Sequence, residues 1–252
     1  MIKREDIIAD LHTHTLASKH AYSTLKENIE FAKEQGLKYM AITDHYYNDG
    51  TNIEKKNEVA RGVYVWRINN FEDGITIIPS FEFNLNQDWT EPEKLKDLKW
   101  RPVGLHSWFL DFANITLNEL YLHFVSAYEE HDVNAFVHIE RELHKVDHGK
   151  HGVIDDEIKW FLDKIVLFAK RNNIVLEVNE TSMIFNEGGS IERMKYWIQV
   201  AKDANLIISL GSDGHYYKEI GQFGNVIKLL NEVDYPKELI VNCNEELIKK
   251  YL

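Results

Sequence analysis

The sequence predicts an α/β fold built around a parallel sheet. Two observations carry this. Short, apolar, β-branched runs alternate with amphipathic helical patterns along the whole chain, and parallel strands need crossover helices between them. The length of 252 residues also fits one large domain over 1–252, since α/β barrels commonly reach that size as a single unit. With seven candidate strands, a closed barrel and an open doubly wound sheet both remain open.

The candidate strands lie at 7–13, 39–44, 75–83, 102–107, 134–139, 174–179 and 206–212. Each has the length and composition of a buried strand. Between the first two, Leu25, Ile29 and Ala32 mark one face of a helix that ends at Gly36, and Thr24 with Glu27 forms a capping-box pattern at its start. Residues 52–71 read as a helix between the second and third strands, and 85–100 as a polar excursion within the domain. Thr116 with Glu119 is a second capping box, followed by the apolar stripe Leu117, Leu120, Tyr121, Phe124 and Tyr128. Further stripes are Ile158, Phe161, Leu162, Ile165 and Phe168, then Ile191, Met194, Trp197, Ile198 and Ala201. No internal repeat or low-complexity linker interrupts this alternation.

The composition is 44% hydrophobic and 28% charged, ordinary for a globular chain with a sizeable core. Twenty-nine basic against 41 acidic residues give a net charge of −12, which opposes general nucleic-acid binding. Bound divalent ions would offset part of that charge locally. The single cysteine, Cys243, excludes an intrachain disulfide and fits a reducing compartment. No apolar run is long enough to span a bilayer, and residues 1–10 do not resemble a signal peptide. The expectation is a cytoplasmic protein with no membrane partner.

The chain has 12 histidines, and many are placed rather than scattered. His12 and His14 close the first strand; positions i and i+2 of a strand share a face, so both imidazoles can reach one point. His45 follows Asp44 at the end of the second strand, Glu82 ends the third, His106 the fourth and His138 the fifth, while Asp213 and His215 follow the seventh. His20 lies in the loop after the first. In a parallel barrel all C-terminal strand ends share one rim, where barrel enzymes build their sites. A lone histidine at a strand end is commonly a hydrogen-bonded structural residue, but six strand ends delivering metal-type ligands together resist that explanation. His123 and His131 sit on a helical stretch and read as solvated or capping residues. His144, His148 and His151, with Arg141, Lys145 and Lys150, read as a solvated loop. A catalytic zinc takes about three protein ligands and keeps one position open, so the nine candidates suit two or three ions.

Asp10-Leu11-His12-Thr13-His14, Thr43-Asp44-His45, Glu82, His106, His138 and Gly211-Ser212-Asp213-Gly214-His215 resemble the PHP (polymerase and histidinol phosphatase) family. His20-Ala21-Tyr22-Ser23-Thr24 is similar to its stand-alone bacterial phosphatases of the YcdX type. The resemblance implies a distorted seven-stranded (β/α) barrel holding a trinuclear metal site. One ion would take His12, His14, Glu82 and Asp213; a second would share Glu82 and take His106 and His138; the third would take His20, His45 and His215. The family often has Pro after the fifth-strand histidine, where this chain has Ile139 and Glu140.

The expected chemistry is phosphomonoester hydrolysis of a small phosphorylated metabolite such as histidinol phosphate. A hydroxide bridging the ions would be the nucleophile, and Glu82, Asp213 and His215 are the expected catalytic residues. Arg141, Lys145 and Lys19 are clamp candidates for the phosphate, each more simply a surface charge, and Asn179 is a candidate to orient a ligand or water. Zinc suits the ligand set first, with Mn, Fe, Co and Ni also accommodated. Two alternatives stand beside this reading: an amidohydrolase-type C–N or C–O hydrolase, and a non-catalytic metal-binding domain. The first usually has a lysine at the end of the fourth strand, where this chain has His106.

Overall fold

The computed structural model describes residues 1–46, 74–85, 98–106, 114–146 and 152–251. The predicted helix over 52–71 and most of the excursion over 85–100 lie outside them. The strands are β1 Ala9–Asp10, β2 Tyr39–Ile42, β3 Thr76–Pro79, β4 Phe83–Asn84, β5 Pro102–Gly104, β6 Ala135–Val137, β7 Val175–Asn179 and β8 Ile208–Gly211. All ladders are parallel, in the orders β1-β2-β3 and β4-β5-β6-β7-β8. Isolated bridges between Thr13 and Gly214 and between His45 and Glu82 join the two sheets at both seams. The sheets therefore close into a distorted barrel, and the open doubly wound arrangement is excluded.

The predicted third strand is divided between the sheets. β3 pairs with β2 as far as Pro79, whose ring nitrogen has no hydrogen to extend the ladder. The chain shifts over 80–82 and resumes as β4 against β5. Glu82 sits in this break, with its backbone N–H facing the carbonyls of Thr43 and Asp44 at 3.2 Å each.

The described helices are α1 Leu25–Glu34, α2 Leu117–His131, α3 Leu143–Val146, α4 Asp156–Asn172, α5 Glu180–Phe185, α6 Ser190–Asp203, α7 Gly224–Glu232 and α8 Glu245–Tyr251. Both predicted capping boxes form: Thr24 and Thr116 accept from Glu27 N and Glu119 N, and each glutamate accepts the cap N–H in return. None of these helices is long and apolar enough to cross a membrane.

Strand alternation sorts the side chains. On β7, Leu176 and Val178 pack outward against helices, with Phe161, Ile165, Met194 and Trp197 in the same apolar cluster. Val175 faces inward with Ala9, Ala41 and Ala135 around Trp100, capped by Ile248 and Tyr251 of α8. Three alanines leave room for one indole, whose Nε1 donates to Leu11 O at 2.9 Å. This apolar plug forms the floor of the barrel. Above it, at the C-terminal strand ends, the inward positions turn polar.

Cys243 is a free thiol that burial pushes up to about 12. The thiolate is the reactive form, so alkylation by iodoacetamide at pH 8 is expected to run about a thousand-fold slower than for a free thiol. A rate within tenfold of glutathione would contradict this environment.

Candidate metal centre

All nine predicted ligands converge above the floor. His12 and His14 follow β1, His20 lies in the loop before α1, and His45 follows β2. Glu82 occupies the β3–β4 break, His106 and His138 follow β5 and β6, and Asp213 and His215 follow β8. Glu82 is the hub. Its Oε1 lies 2.5 Å from His138 Nε2 and 3.3 Å from His106 Nε2. Its Oε2 lies 3.0 Å from His45 Nδ1, 3.4 Å from His12 Nε2 and 3.6 Å from His14 Nε2. Asp213 Oδ1 approaches His14 Nε2 to 3.0 Å and His12 Nε2 to 3.5 Å. At the rim, His20 Nε2 stands 2.8 Å from His215 Nε2 and 3.3 Å from His45 Nε2.

Four triads bring ligand atoms close enough to share an ion: His12–His14–Asp213, His12–Glu82–His138, His45–Glu82–His106 and His14–His45–His215. Burial grades across them. His12, His14, Glu82 and His138 are fully enclosed, whereas the His215 side chain is 24% exposed and His20 is open to solvent. Two of these residues sit on less common backbone: φ is 34° at His138 and 54° at Asp213, a region that non-glycine residues enter at some cost, Asp and His more readily than most.

The donor set suits divalent cations. Imidazole nitrogens and carboxylate oxygens face one another across the centre, and Glu82 Oε2 has no hydrogen-bond partner among the described residues despite complete burial. A cation would satisfy these groups together, whereas a single proton serves only one pair. The tautomers agree. Ser18 Oγ gives its proton to Asp44 Oδ1 at 2.7 Å, so it accepts from His14 Nδ1 at 2.9 Å and leaves His14 Nε2 as a lone pair. His215 Nδ1 faces the carbonyl of Asp213 at 2.9 Å, which likewise leaves Nε2 for an ion.

The electrostatics are those of a mutually dependent cluster. Burial alone would raise Glu82, but His106, His12, His45 and His138 outweigh it and hold its carboxyl well below the usual range. Asp213 is likewise held low against burial by Arg141 and by His12 and His14. Burial together with the neighbouring His215 pushes His14 well below its ordinary value. His12 goes the other way, because Glu177, Glu82 and Asp213 overcome its burial. Asp10, beneath the site, is raised to about 6 by burial while accepting the N–H groups of His12, Ser212 and Gly221.

Several residues have other roles than their sequence context suggests. Arg141 is no surface charge: its Nη2 donates to Asp213 Oδ2 at 2.6 Å and Asn179 Oδ1 at 2.7 Å, and its Nε to Ser182 Oγ at 3.1 Å. Over its described residues, 139–146, the segment after His138 is not wholly solvated either: His144 and Lys145 are half-buried and their neighbours pack inward. Leu143 and Val146 of α3 are buried, and so is Glu140, which accepts from Trp197 Nε1 at 3.2 Å. His148, Lys150 and His151 lie outside the described residues. Glu177 was missed altogether, although its Oε2 meets His12 Nδ1 at 2.8 Å. The signal was present: a lone carboxylate in the apolar run 174–179, two positions before Asn179 and so on the same face. Asp44, which backs His14 through Ser18, stood in the Thr43-Asp44-His45 motif, whereas Ser18 left no comparable signal.

A model of the PHP domain matches residues 10–181 of this sequence. The chain belongs to the PHP domain family. Other members resemble it over nearly their full length. A relative from Acetivibrio thermocellus, named a probable phosphatase, is 30% identical over 253 residues, covering 97% of this chain and 95% of the relative. One from Clostridium acetobutylicum, also named a probable phosphatase, is 29% identical over 260 residues, covering 97% and 94%. Among solved structures, histidinol phosphate phosphatase from Lactococcus lactis, complexed with zinc, L-histidinol and phosphate, matches with a TM-score of 0.65 at 15% identity, covering 90% of this chain and 94% of that one. A solved structure from the set of YwqE from Bacillus subtilis and CpsB from Streptococcus pneumoniae, described as metal-dependent tyrosine phosphatases, matches with a TM-score of 0.53 at 13% identity, covering 89% of this chain and 86% of that one. At those identities the likeness is one of PHP fold.

Proposed function

We propose that this chain is a metal-dependent phosphomonoesterase acting on a small phosphorylated metabolite, with residues 1–252 forming one metallohydrolase domain. The observation that carries the reading is the convergence of eight candidate ligand side chains with Glu82 at the C-terminal end of the barrel strands. The names of the bacterial relatives point the same way. His12, His14 and Asp213 would hold one ion, His106 and His138 a second, and His20, His45 and His215 a third, with Glu82 shared between the first two. Zinc fits this set first, and Mn, Fe, Co or Ni also suit it. Such ions supply Lewis acidity and a nucleophile from water at neutral pH.

The residues of the chain supply placement. Glu82 and Asp213 bring negative charge to the centre and stay ionised there. Arg141 is fixed by three hydrogen bonds, so a guanidinium held beside Asp213 would be available to meet a phosphoryl oxygen without reordering. His215 and His20 form the exposed side, where the leaving group would face solvent. The cations and Arg141 would draw a phosphate dianion to the rim against the overall charge of −12.

The test is hydrolysis of a panel by metal-replete protein and by a His12→Ala, His14→Ala variant. The panel holds p-nitrophenyl phosphate, histidinol phosphate, pyridoxal phosphate, sugar phosphates and one phosphodiester. Phosphate release that requires Mn or Zn and disappears in the variant is the expected result. No release from any ester by protein with bound metal would overturn the phosphatase reading.

A further inference from the structure

We propose that Glu177 and Asn179 are positioning residues for metal ligation. They form a hydrogen-bond relay of fixed direction that sets which nitrogen of His12 faces the ion. The inference rests on the metal-binding part of the function proposed above and not on the identity of the ester.

The direction of the relay can be read from groups whose roles are unambiguous. The backbone N–H of Ser182 donates to Asn179 Oδ1 at 2.8 Å, and Arg141 Nη2 donates to the same oxygen at 2.7 Å. Neither is able to accept, so this atom of Asn179 must be the carbonyl oxygen. Its Nδ2 therefore faces Glu177 Oε1, to which it donates at 2.7 Å. The other oxygen of Glu177 accepts from His12 Nδ1 at 2.8 Å. The proton of His12 is thereby held on Nδ1, and Nε2 points at Glu82, Asp213 and His14. A carboxylate behind a ligating imidazole fixes the ring and raises its basicity.

The fold is built to keep this carboxylate in place. Glu177 and Asn179 are fully enclosed and project from the same face of β7. Asn179 is also the N-cap of α5, so the start of that helix and the ligand are wired together. Gly211 on the neighbouring strand leaves the required space: a Cβ there would stand 2.3 Å from Glu177 Oε2 and 2.6 Å from His12 Cβ. Arg141 touches both Asn179 and Asp213, so one guanidinium braces two ligands by separate routes.

The polarity yields a test that shape alone would not pass. Glu177→Gln is nearly isosteric, but its amide must either set an N–H against Asn179 Nδ2 or set one against His12 Nδ1. The first leaves two donors opposed; the second forces the wrong tautomer. Asn179→Asp keeps the helix cap, since Asp caps as well as Asn, but removes the donor to Glu177. Combining E177Q with N179D restores a continuous direction at unchanged net charge: the amide introduced by E177Q can give N–H to the new carboxylate, and its oxygen can accept from His12.

Zinc and manganese binding to metal-stripped protein would be measured by calorimetry, with 15N NMR of the histidine side chains reporting the His12 tautomer. Each single variant is expected to lose about 10- to 100-fold in affinity for one ion. The double variant should recover at least half of that loss on a logarithmic scale, with His12 again protonated on Nδ1. Recovery stays partial because Asn179 Nδ2, where the new carboxylate would sit, is 3.4 Å from Asp213 Oδ2. Unchanged affinity in E177Q, or a double variant no better than the worse single, would overturn the relay. A wild-type protein that takes up neither ion would overturn the metal reading itself. Metal binding without turnover would count against the phosphatase proposal only.

Discussion

Glu82→Gln is expected to cost the protein at least one bound ion and about a thousand-fold in kcat/KM. The carboxylate lies within 3.6 Å of five imidazole nitrogens through its two oxygens, and no other side chain of the centre spans as many. Glutamine keeps the shape but removes the charge and turns one acceptor into a donor aimed at imidazole lone pairs. The ions supply several kcal/mol of transition-state charge stabilisation, and about 1.4 kcal/mol corresponds to each tenfold in rate. Losing an ion thus accounts for about three decades. Elemental analysis of the purified variant beside its kinetics checks both halves. Full metal content with kcat/KM within tenfold of wild type would show that Glu82 is not the shared ligand.

Gly104→Ala should be nearly as damaging, although it removes no functional group. A Cβ at Gly104 would stand 2.6 Å from Glu82 Oε1, 2.7 Å from His138 Cε1 and 2.9 Å from His106 Cε1. None of the three can step aside cheaply, because each is positioned by the others. Displacements of about 1 Å at a reacting centre cost on the order of 100-fold, and overpacking adds about 1–3 kcal/mol of destabilisation. Gly224→Ala is the control, since nothing lies within 4 Å of its Cβ position. Equal activity for the two alanine variants would mean that the interior has more slack than the structure shows.

The proposed ligands were legible in the sequence because two local rules suffice to bring them together. Strand ends are marked by short apolar runs, and parallel topology puts those ends on one rim; His12, His45, His106 and Asp213 needed nothing more. The hydrogen bonds behind the ligands were less legible, because they join distant parts of the chain. Glu177 supports a histidine 165 positions away, and Arg141 reaches Asp213 across 72. Arg141 looked like a surface charge because its neighbours 144–151 are rich in charge and histidine. Its direction was decided by β6, whose end carries the chain into the site. The split of the third strand was hidden for another reason. Its residues are apolar and β-branched up to Ile78; Pro79 marks a place where the ladder can stop, but the exchange of partners that follows shows only in the structure.

The floor made by Trp100, Ala9, Ala41, Ala135 and Val175 closes the end of the barrel beneath the centre. Among the proposed ligands, His12 and His14 lie deepest, while His20 and His215 are the most exposed and His106 keeps an edge to solvent. An ion held at the enclosed side would therefore exchange more slowly than one at the exposed side, at equal affinity. Chelators should then strip the protein in order, outermost first.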